Sequence, residues 1–216
     1  QNQSYKGVTM NKLLIVFCLL FLASTSFASE IPTVGHWKFD EGSGTIAADS
    51  SGNGNNGTVN GGATWTTAGA CGNALNFDGT DDYVGLADSS LLNFDTRPFT
   101  ISAFIKTSAS NFGTIFGKYS TSNKGYMINS LDGGKIHFIT IEGSSSGSEI
   151  GGNISVTDGQ WHHVVCVRES DGTLKIYVDG VLDVAQTLPL RNVNESIAPR
   201  IGNDTRPPYT SKFNGT

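Results

Sequence analysis

The chain has 216 residues, with 19 acidic against 14 basic side chains and a formal net charge of −5 at pH 7. Its lysine and arginine residues are scattered singly, whereas nucleic acids and anionic membranes are bound by clusters of them, so neither is the default partner. Glycine is abundant, at 27 residues, and together with Asn, Ser and Thr it separates short apolar runs. This composition is typical of many short strands joined by turns.

The first 28 residues predict a leader followed by a signal peptide. Residues 1–9 have the character of upstream or non-native sequence, and from Met10 onward Lys12 precedes ten apolar residues, 13–22. Small side chains at Ser26 and Ala28 predict cleavage after Ala28, in a signal peptide spanning residues 10–28. A transmembrane anchor, the alternative, would need about 20 apolar residues. We therefore expect one exported domain over residues 29–216, either secreted or held at the cell surface.

Twelve strands are predicted in chain order from apolar runs, several of which show a period of two. In the run 99–106 every second side chain is apolar and shares one face, and Leu174, Ile176 and Val178 do so in the run 173–179. No helical period is found, so the sequence predicts an all-β, two-sheet antiparallel β-sandwich. The segment 142–153 is expected to be a surface loop. The predicted strands are residues 34–39, 74–78, 83–86, 99–106, 113–117, 125–131, 135–141, 154–156, 161–168, 173–179, 182–186 and 198–202.

The segment 49–57, with the sequence DSSGNGNNG, is rich in oxygen-bearing side chains. Asp49 at its first position, oxygen side chains at its third and fifth positions, and glycine at its sixth match the opening of a calcium-binding loop. An EF-hand is excluded because the twelfth position is Asn60 rather than Glu and no predicted helix flanks the loop. A plain Asn/Gly turn, which is common in β proteins, stays open as the alternative.

The sequence does not favour a catalytic centre. Glycoside hydrolysis needs two carboxylates held about 5–10 Å apart across the sugar, and no strand carries such a set. Asp78, Asp81 and Asp82 fall in one turn, where Asp commonly bonds its own backbone. His162 and His163 are adjacent on a predicted strand, so their rings point to opposite faces and do not hold one ion together. We expect one of these rings to bond a backbone carbonyl.

Aromatic side chains and cysteines supply the remaining candidates. Phe104, Tyr126 and Tyr177 are expected on the face opposite the inward aliphatic residues, where aromatic planes stack on sugar rings; the alternative is that they pack beneath loops. Cys71 and Cys166 form a candidate disulfide, which export allows but which needs Cα atoms within about 7 Å. The alternative is a core thiol at Cys166 and a loop thiol at Cys71.

Five sequence blocks occur in an order that is typical of one family. They are HWKFDEGSG at 36–44, DSSGNG at 49–54, ALNFDG at 74–79 with DYV at 82–84, the strand 99–106, and the meander 161–180 that opens WHHVVCV. This arrangement resembles a LamG-like jellyroll domain of the concanavalin A-like lectin/glucanase superfamily. The order of the blocks makes the resemblance more specific than any single motif.

The resemblance implies a jelly-roll sandwich that acts as a non-catalytic module, binds a glycan or surface polysaccharide or mediates adhesion, and often accompanies other domains of a longer protein. It also implies a structural calcium ion, with a side-chain oxygen from Asp49 and a backbone or side-chain oxygen from Asn53. The family continues after Phe213-Asn214-Gly215 into a further strand, so we expect this chain to lack its final strand. The alternatives are a structural spacer or protein-interaction module and, less favoured, a glycoside hydrolase of the same fold.

Overall fold

A computed structural model of the chain describes residues 33–110, 112–130, 133–143, 147–205 and 211–216. The predicted leader and signal peptide, residues 1–28, lie outside the described residues. A short 3₁₀ helix spans Ser90–Leu92. The strands are β1 (Ile46–Ala47), β2 (Gly57–Asn60), β3 (Thr64–Thr66), β4 (Ala74–Asp78), β5 (Tyr83–Gly85), β6 (Phe99–Lys106), β7 (Gly113–Tyr119), β8 (Lys124–Ser130), β9 (Lys135–Glu142), β10 (Gly147–Ser155), β11 (Trp161–Arg168), β12 (Thr173–Val178), β13 (Val181–Thr187), β14 (Arg200–Ile201) and β15 (Asn214–Gly215).

Antiparallel pairing joins these strands into three sheets. One sheet has eight strands in the order β1-β2-β5-β14-β7-β8-β9-β10, one has four in the order β13-β12-β11-β6, and one has three in the order β15-β4-β3. The predicted all-β antiparallel sandwich is confirmed. Asn214–Gly215 pairs with β4, and Thr216 exchanges two backbone hydrogen bonds with Lys106 of β6. The expected lack of a further strand stays a prediction.

The core lies between the four-stranded sheet and the eight-stranded sheet. From Val164 onward, strand alternation directs every second side chain of β11 and β12 inward, and each of those side chains is almost fully buried. Burying one such aliphatic or aromatic side chain stabilises the fold by about 1.5–3 kcal/mol. Phe99 of β6 stacks on Phe94, with ring centroids 4.5 Å apart, and meets Phe138 of β9 edge-on at 5.9 Å. These contacts hold the two sheets face to face.

The segment 142–153 is not the surface loop that its sequence predicts. Most of it belongs to β10, which pairs with β9 at the edge of the eight-stranded sheet. Ser148, Ile150 and Gly152 are buried and alternate with exposed residues. Two of these three inward positions hold Ser and Gly, so the period of two carries little hydrophobic signal. The predicted strand 34–39 is also wrong in extent, because its one β-bridge joins Trp37 to Asp49.

Candidate ligand-binding face

The outer face of the four-stranded sheet, which points away from the core, carries a strip of apolar and aromatic side chains. His163 of β11 lies directly opposite Phe104 of β6, and Val165 of β11 lies opposite Tyr177 of β12. Tyr177 in turn lies opposite Leu182 of β13. Directly opposed residues share a face of the sheet. We call this row of five side chains the outer strip: Phe104, His163, Val165, Tyr177 and Leu182.

A stacked pair of rings, Phe104 and His163, lies in the outer strip. The ring centroids are 4.5 Å apart, the ring planes meet at 18°, and Phe104 is 59% exposed. Ser102 Oγ lies 2.7 Å from Nε2 of His163, which fixes the orientation of the imidazole. Burial lowers the pKa of His163, although the charge of Asp179 acts in the opposite direction. The two rings therefore form a flat surface, in which the hydrogen bond with Ser102 fixes the orientation of His163 and a hydroxyl group lies beside the rings.

His162 occupies the other face of β11, next to two carboxylates. Its Nδ1 lies 2.8 Å from Oδ2 of Asp179, and its Nε2 lies 3.0 Å from Oδ1 of Asp158. A neutral imidazole has a single N–H, so hydrogen bonds from both nitrogens require the protonated ring. Burial alone would lower the pKa of His162, but the hydrogen bonds to Asp179 and Asp158 outweigh burial and raise it. The expected bond from one histidine ring to a backbone carbonyl is not among the contacts of His162 or His163, whose partners are Asp179, Asp158 and Ser102.

The raised pKa of His162 predicts a pH-dependent contribution to stability. A folded-state pKa above the unfolded value gives stabilisation that is fully present below the unfolded pKa, about 6.5, and is lost as the pH rises through the folded pKa. The substitution His162→Gln is therefore expected to lower Tm more at about pH 5.5 than at about pH 8.5. Thermal unfolding at both pH values measures the difference. His36→Gln, at an exposed side chain, is the control, and an equal loss at both pH values would contradict the prediction.

Asp49, the first residue of the predicted calcium loop, organises that loop through backbone amides. Oδ1 of Asp49 accepts hydrogen bonds from the N–H groups of His36 and Ser51, and Oδ2 accepts one from Asn55, each at 2.9 Å. These bonds outweigh burial and lower the pKa of Asp49, although burial is the largest single influence. Asn53 Nδ2 donates to the carbonyl oxygen of Thr33 at 2.8 Å. N–H groups thus take three of the roughly four acceptor positions of the Asp49 carboxylate. Calcium at Asp49 and Asn53 stays a prediction.

The turn between β4 and β5 brings three carboxylates together, a grouping that the sequence had suggested only as a turn motif. One carboxylate oxygen from each of Asp78, Asp81 and Asp82 lies within 4.8 Å of the other two. The expected bonds to local backbone are present, because Oδ1 of Asp78 accepts from the N–H of Thr80 at 2.6 Å and Oδ2 of Asp82 accepts from the N–H of Asp78 at 2.8 Å. Burial, together with the charges of Asp78 and Asp81, raises the pKa of Asp82.

Sequence comparison assigns the family. A laminin G family model, described as the concanavalin A-like lectin/glucanases superfamily, matches residues 78–216. The chain belongs to this superfamily. The match includes the outer strip and the turn 78–82, and it confirms the resemblance drawn from the five sequence blocks. Comparison with curated proteins gives no match.

Solved structures of binding domains share the fold of this superfamily member. The binding domain of paraclostridial mosquitocidal protein 1 is 15% identical, with a TM-score of 0.63 over 71% of this chain and 41% of that chain. The binding domain of botulinum neurotoxin DC, in complex with rat synaptotagmin II, is 17% identical, with a TM-score of 0.63 over 79% and 43%. A structure of botulinum neurotoxin type C is 18% identical, with a TM-score of 0.59 over 77% of this chain and 40% of that chain. Cell entry of this toxin depends on interaction with two ganglioside molecules. The chain thus spans about two fifths of these structures, and the identities establish a shared fold alone.

Tyr126 does not lie on the outer face of this superfamily member, contrary to its prediction. It belongs to β8 of the eight-stranded sheet and is fully buried. Its hydroxyl donates to the carbonyl oxygen of Leu92 at 3.0 Å, and its ring lies 5.0 Å from that of Phe99. Burial also raises the pKa of Tyr126. Tyr126 therefore stabilises the core, while Phe104 and Tyr177 remain as surface candidates.

The candidate disulfide is not formed in the structure. Cys71 is an exposed free thiol in a turn, and Cys166 is a free thiol fully buried in β11. Burial raises the pKa of Cys166, so the thiol stays protonated and unreactive. Cys166 is a small core side chain, which was the alternative. None of the segments that the structure describes forms a helix with the length and apolar character needed to cross a bilayer.

Proposed function

We propose that the chain is an exported, non-catalytic module that binds carbohydrate through the outer strip. The observation that carries the proposal is the stacked Phe104–His163 pair, exposed at Phe104 and flanked by Tyr177 on the same face. Aromatic side chains combine a large apolar surface with few rotatable bonds, so they contact the C–H face of a sugar ring at a low cost in conformational entropy. Export rests on the signal-peptide pattern of residues 10–28.

Polar groups beside the outer strip suit the hydroxyl groups of a sugar. Ser102 Oγ is exposed next to His163, and a hydroxyl group both donates and accepts hydrogen bonds. An ion pair between Lys175 Nζ and Glu169 Oε1 borders the strip on β12. Such a mixture of apolar planes and a few placed polar groups is the usual composition of small-molecule sites.

Carboxylates in and next to the four-stranded sheet, on both of its faces, already have partners, which supports a binding role over hydrolysis. Asp158 and Asp179 bond the ring of His162, and Glu169 pairs with Lys175. Glycoside hydrolysis needs one carboxylic acid free to donate a proton and a second carboxylate that is free to attack the sugar or to activate water. The dependence of the botulinum neurotoxin type C neighbour on gangliosides, which carry sugars, also supports carbohydrate as the ligand class.

A protein-binding or spacer role is the second candidate, and the exposed end of the β12–β13 hairpin favours it. Leu182 of the outer strip is 49% exposed, and its neighbour Val181, which lies opposite Val178 and so points to the other face, is 60% exposed. Exposed apolar side chains at one end of a sheet often mark a protein contact. One structural neighbour was solved in complex with a protein, rat synaptotagmin II.

A glycan array probed with the full chain tests the carbohydrate proposal. Specific binding to a class of glycans is expected, and Phe104→Ala or Tyr177→Ala should weaken it about two- to tenfold, because loss of one aromatic contact is worth about 0.5–1.5 kcal/mol. Leu91→Ala is the matched control, since Leu91 is a similarly exposed apolar residue, at 46%, on the 3₁₀ helix. Thermal unfolding verifies that every variant folds.

Two results would count against this role for the outer strip. Specific glycan binding that survives both aromatic substitutions would place the carbohydrate site elsewhere. If the folded chain binds none of the glycans on the array, the protein-binding or spacer role is the better account.

A further inference from the structure

The turn between β4 and β5 concentrates negative charge on one small patch. Asp78, Asp81 and Asp82 each contribute a carboxylate oxygen to a group in which the atoms lie within 4.8 Å of one another. No described lysine, arginine or histidine forms a salt bridge with any of the three. Like charges at this separation repel, so the arrangement is unfavourable unless a counter-charge is added.

Asp82 adds a second, independent feature, because it is buried and one of its oxygens has no partner. Its exposed fraction is 3%, and Oδ2 accepts a hydrogen bond from the N–H of Asp78. Oδ1 is buried and has no hydrogen-bond partner in the described part of the chain. A buried carboxylate oxygen without a partner is strongly destabilising, so native proteins supply one.

A loop that is distant in sequence covers Asp82. The backbone of Gly61 packs so closely that a Cβ atom there would lie 2.7 Å from the Cα of Asp82, and a Cβ on Gly62 would lie 3.7 Å from Asp82 Oδ1. On the other side, Asn214 of β15 pairs with Asp78. The backbone that carries the three carboxylates is therefore packed against the β2–β3 loop at Asp82 and paired with β15 at Asp78.

We propose that Asp78, Asp81 and Asp82 bind a calcium ion. Asp82 is the buried ligand, and the exposed Asp78 and Asp81 are the other two protein ligands. The donor atoms are all carboxylate oxygens, which hard cations prefer, and the group contains no His or Cys of the kind that selects zinc. Calcium takes six to eight oxygens in flexible geometry, so water supplies the rest. This site goes beyond the carbohydrate proposal and does not depend on it.

The proposal moves the calcium ion away from the position that the family resemblance implies. At Asp49 the carboxylate already accepts three backbone N–H groups, whereas at Asp82 one oxygen accepts none. An ion at the turn would link β4 and β5 to the β2–β3 loop. It would therefore stabilise the fold at the edge of the sandwich and not at the outer strip.

Calcium titration of the full chain by calorimetry, with thermal unfolding in calcium and in EDTA, tests the site. We expect binding in the range of about 10⁻⁴–10⁻³ M, typical of extracellular modules, and a Tm that is higher in calcium. Asp81→Asn should weaken binding at least tenfold without harming the fold, because Asp81 is exposed. Asp82→Asn should do the same, and its fold is verified by circular dichroism.

Two variants with one carboxylate fewer serve as controls. Glu195→Gln matches the loss of charge at a distant position, and Asp49→Asn removes the alternative ligand. Both should keep the calcium affinity and the rise in Tm. Loss of binding in Asp49→Asn with retention in Asp81→Asn would overturn the proposal, as would the absence of any calcium response in the unsubstituted chain. Glycan binding by Asp81→Asn, measured separately, keeps this test distinct from that of the outer strip.

Discussion

Replacing Arg168 with methionine is expected to lower the free energy of unfolding by about 3–5 kcal/mol. Arg168 ends β11 and is 1% exposed, yet its partners are backbone carbonyls and not carboxylates. Its guanidinium donates to the carbonyl oxygens of Arg191 at 2.9 Å and Asp95 at 2.7 Å, and twice to that of Arg97. Methionine fills similar volume but donates nothing, so these carbonyls lose charge-assisted hydrogen bonds.

Urea denaturation of the Arg168→Met chain measures this loss as a change in midpoint at constant slope. Arg168→Lys is the informative control, because it keeps the positive charge but lacks the planar fork that reaches several carbonyls at once. The guanidinium also lies 4.7 Å from the ring centroid of Phe99, a contact that lysine would keep only in part. Lysine should therefore recover less than half of the lost stability. A loss below about 1 kcal/mol in Arg168→Met would show that water replaces the guanidinium.

The strands with one buried and one exposed face were predictable from sequence. The predicted runs 99–106 and 161–168 have the same bounds as β6 and β11, and the predicted run 173–179 exceeds β12 by one residue. These strands form the sheet whose outer face is open, so a period of two appears in the sequence. The same alternation correctly placed Phe104 and Tyr177 on the outer face.

The central strands of the eight-stranded sheet gave no comparable signal, because both of their faces are covered. Every residue of β7 is buried, and so is every residue of β8 after Lys124. Near the end of the chain, Lys212 forms a β-bridge with Thr114 of β7, and Ser211 bonds the hydroxyl group of Thr114. Buried residues then occupy both faces, and alternation no longer distinguishes the faces. For this reason the sequence could not show that Tyr126 points into the core.

The two acidic turns show a different limit of sequence reasoning. An Asp followed by Ser, Gly and Asn is an equally good start for a calcium loop and for a loop held by backbone amides. At Asp49 one such partner is the N–H of His36, which lies 13 residues earlier. At Asp82 the deciding neighbour is the loop at Gly61 and Gly62. Neither contact is encoded by local spacing, so the surroundings of each carboxylate became known only from the fold.

Replacing Gly125 with alanine is expected to destabilise the chain by about 3 kcal/mol or more. Gly125 lies in β8 with φ of +129°, and it pairs with Tyr119 of β7 and Ile141 of β9. A Cβ atom there would overlap the carbonyl oxygen of Lys118 and lie 2.9 Å from the Cα of Tyr119. Because these neighbours are backbone atoms of a paired strand, relief requires opening the β7–β8 hairpin itself.

Gly159→Ala separates this clash from the strain of a positive φ. Gly159 has a φ of +75°, but a Cβ atom there would meet nothing within 4 Å. Its substitution should therefore show backbone strain alone, about 1 kcal/mol. Thermal unfolding and urea denaturation of both variants give the comparison. Equal losses would mean that the hairpin accommodates a methyl group by shifting a strand. A larger loss in Gly125→Ala would show that close backbone approach in the centre of the larger sheet, and not turn geometry, demands glycine at this position.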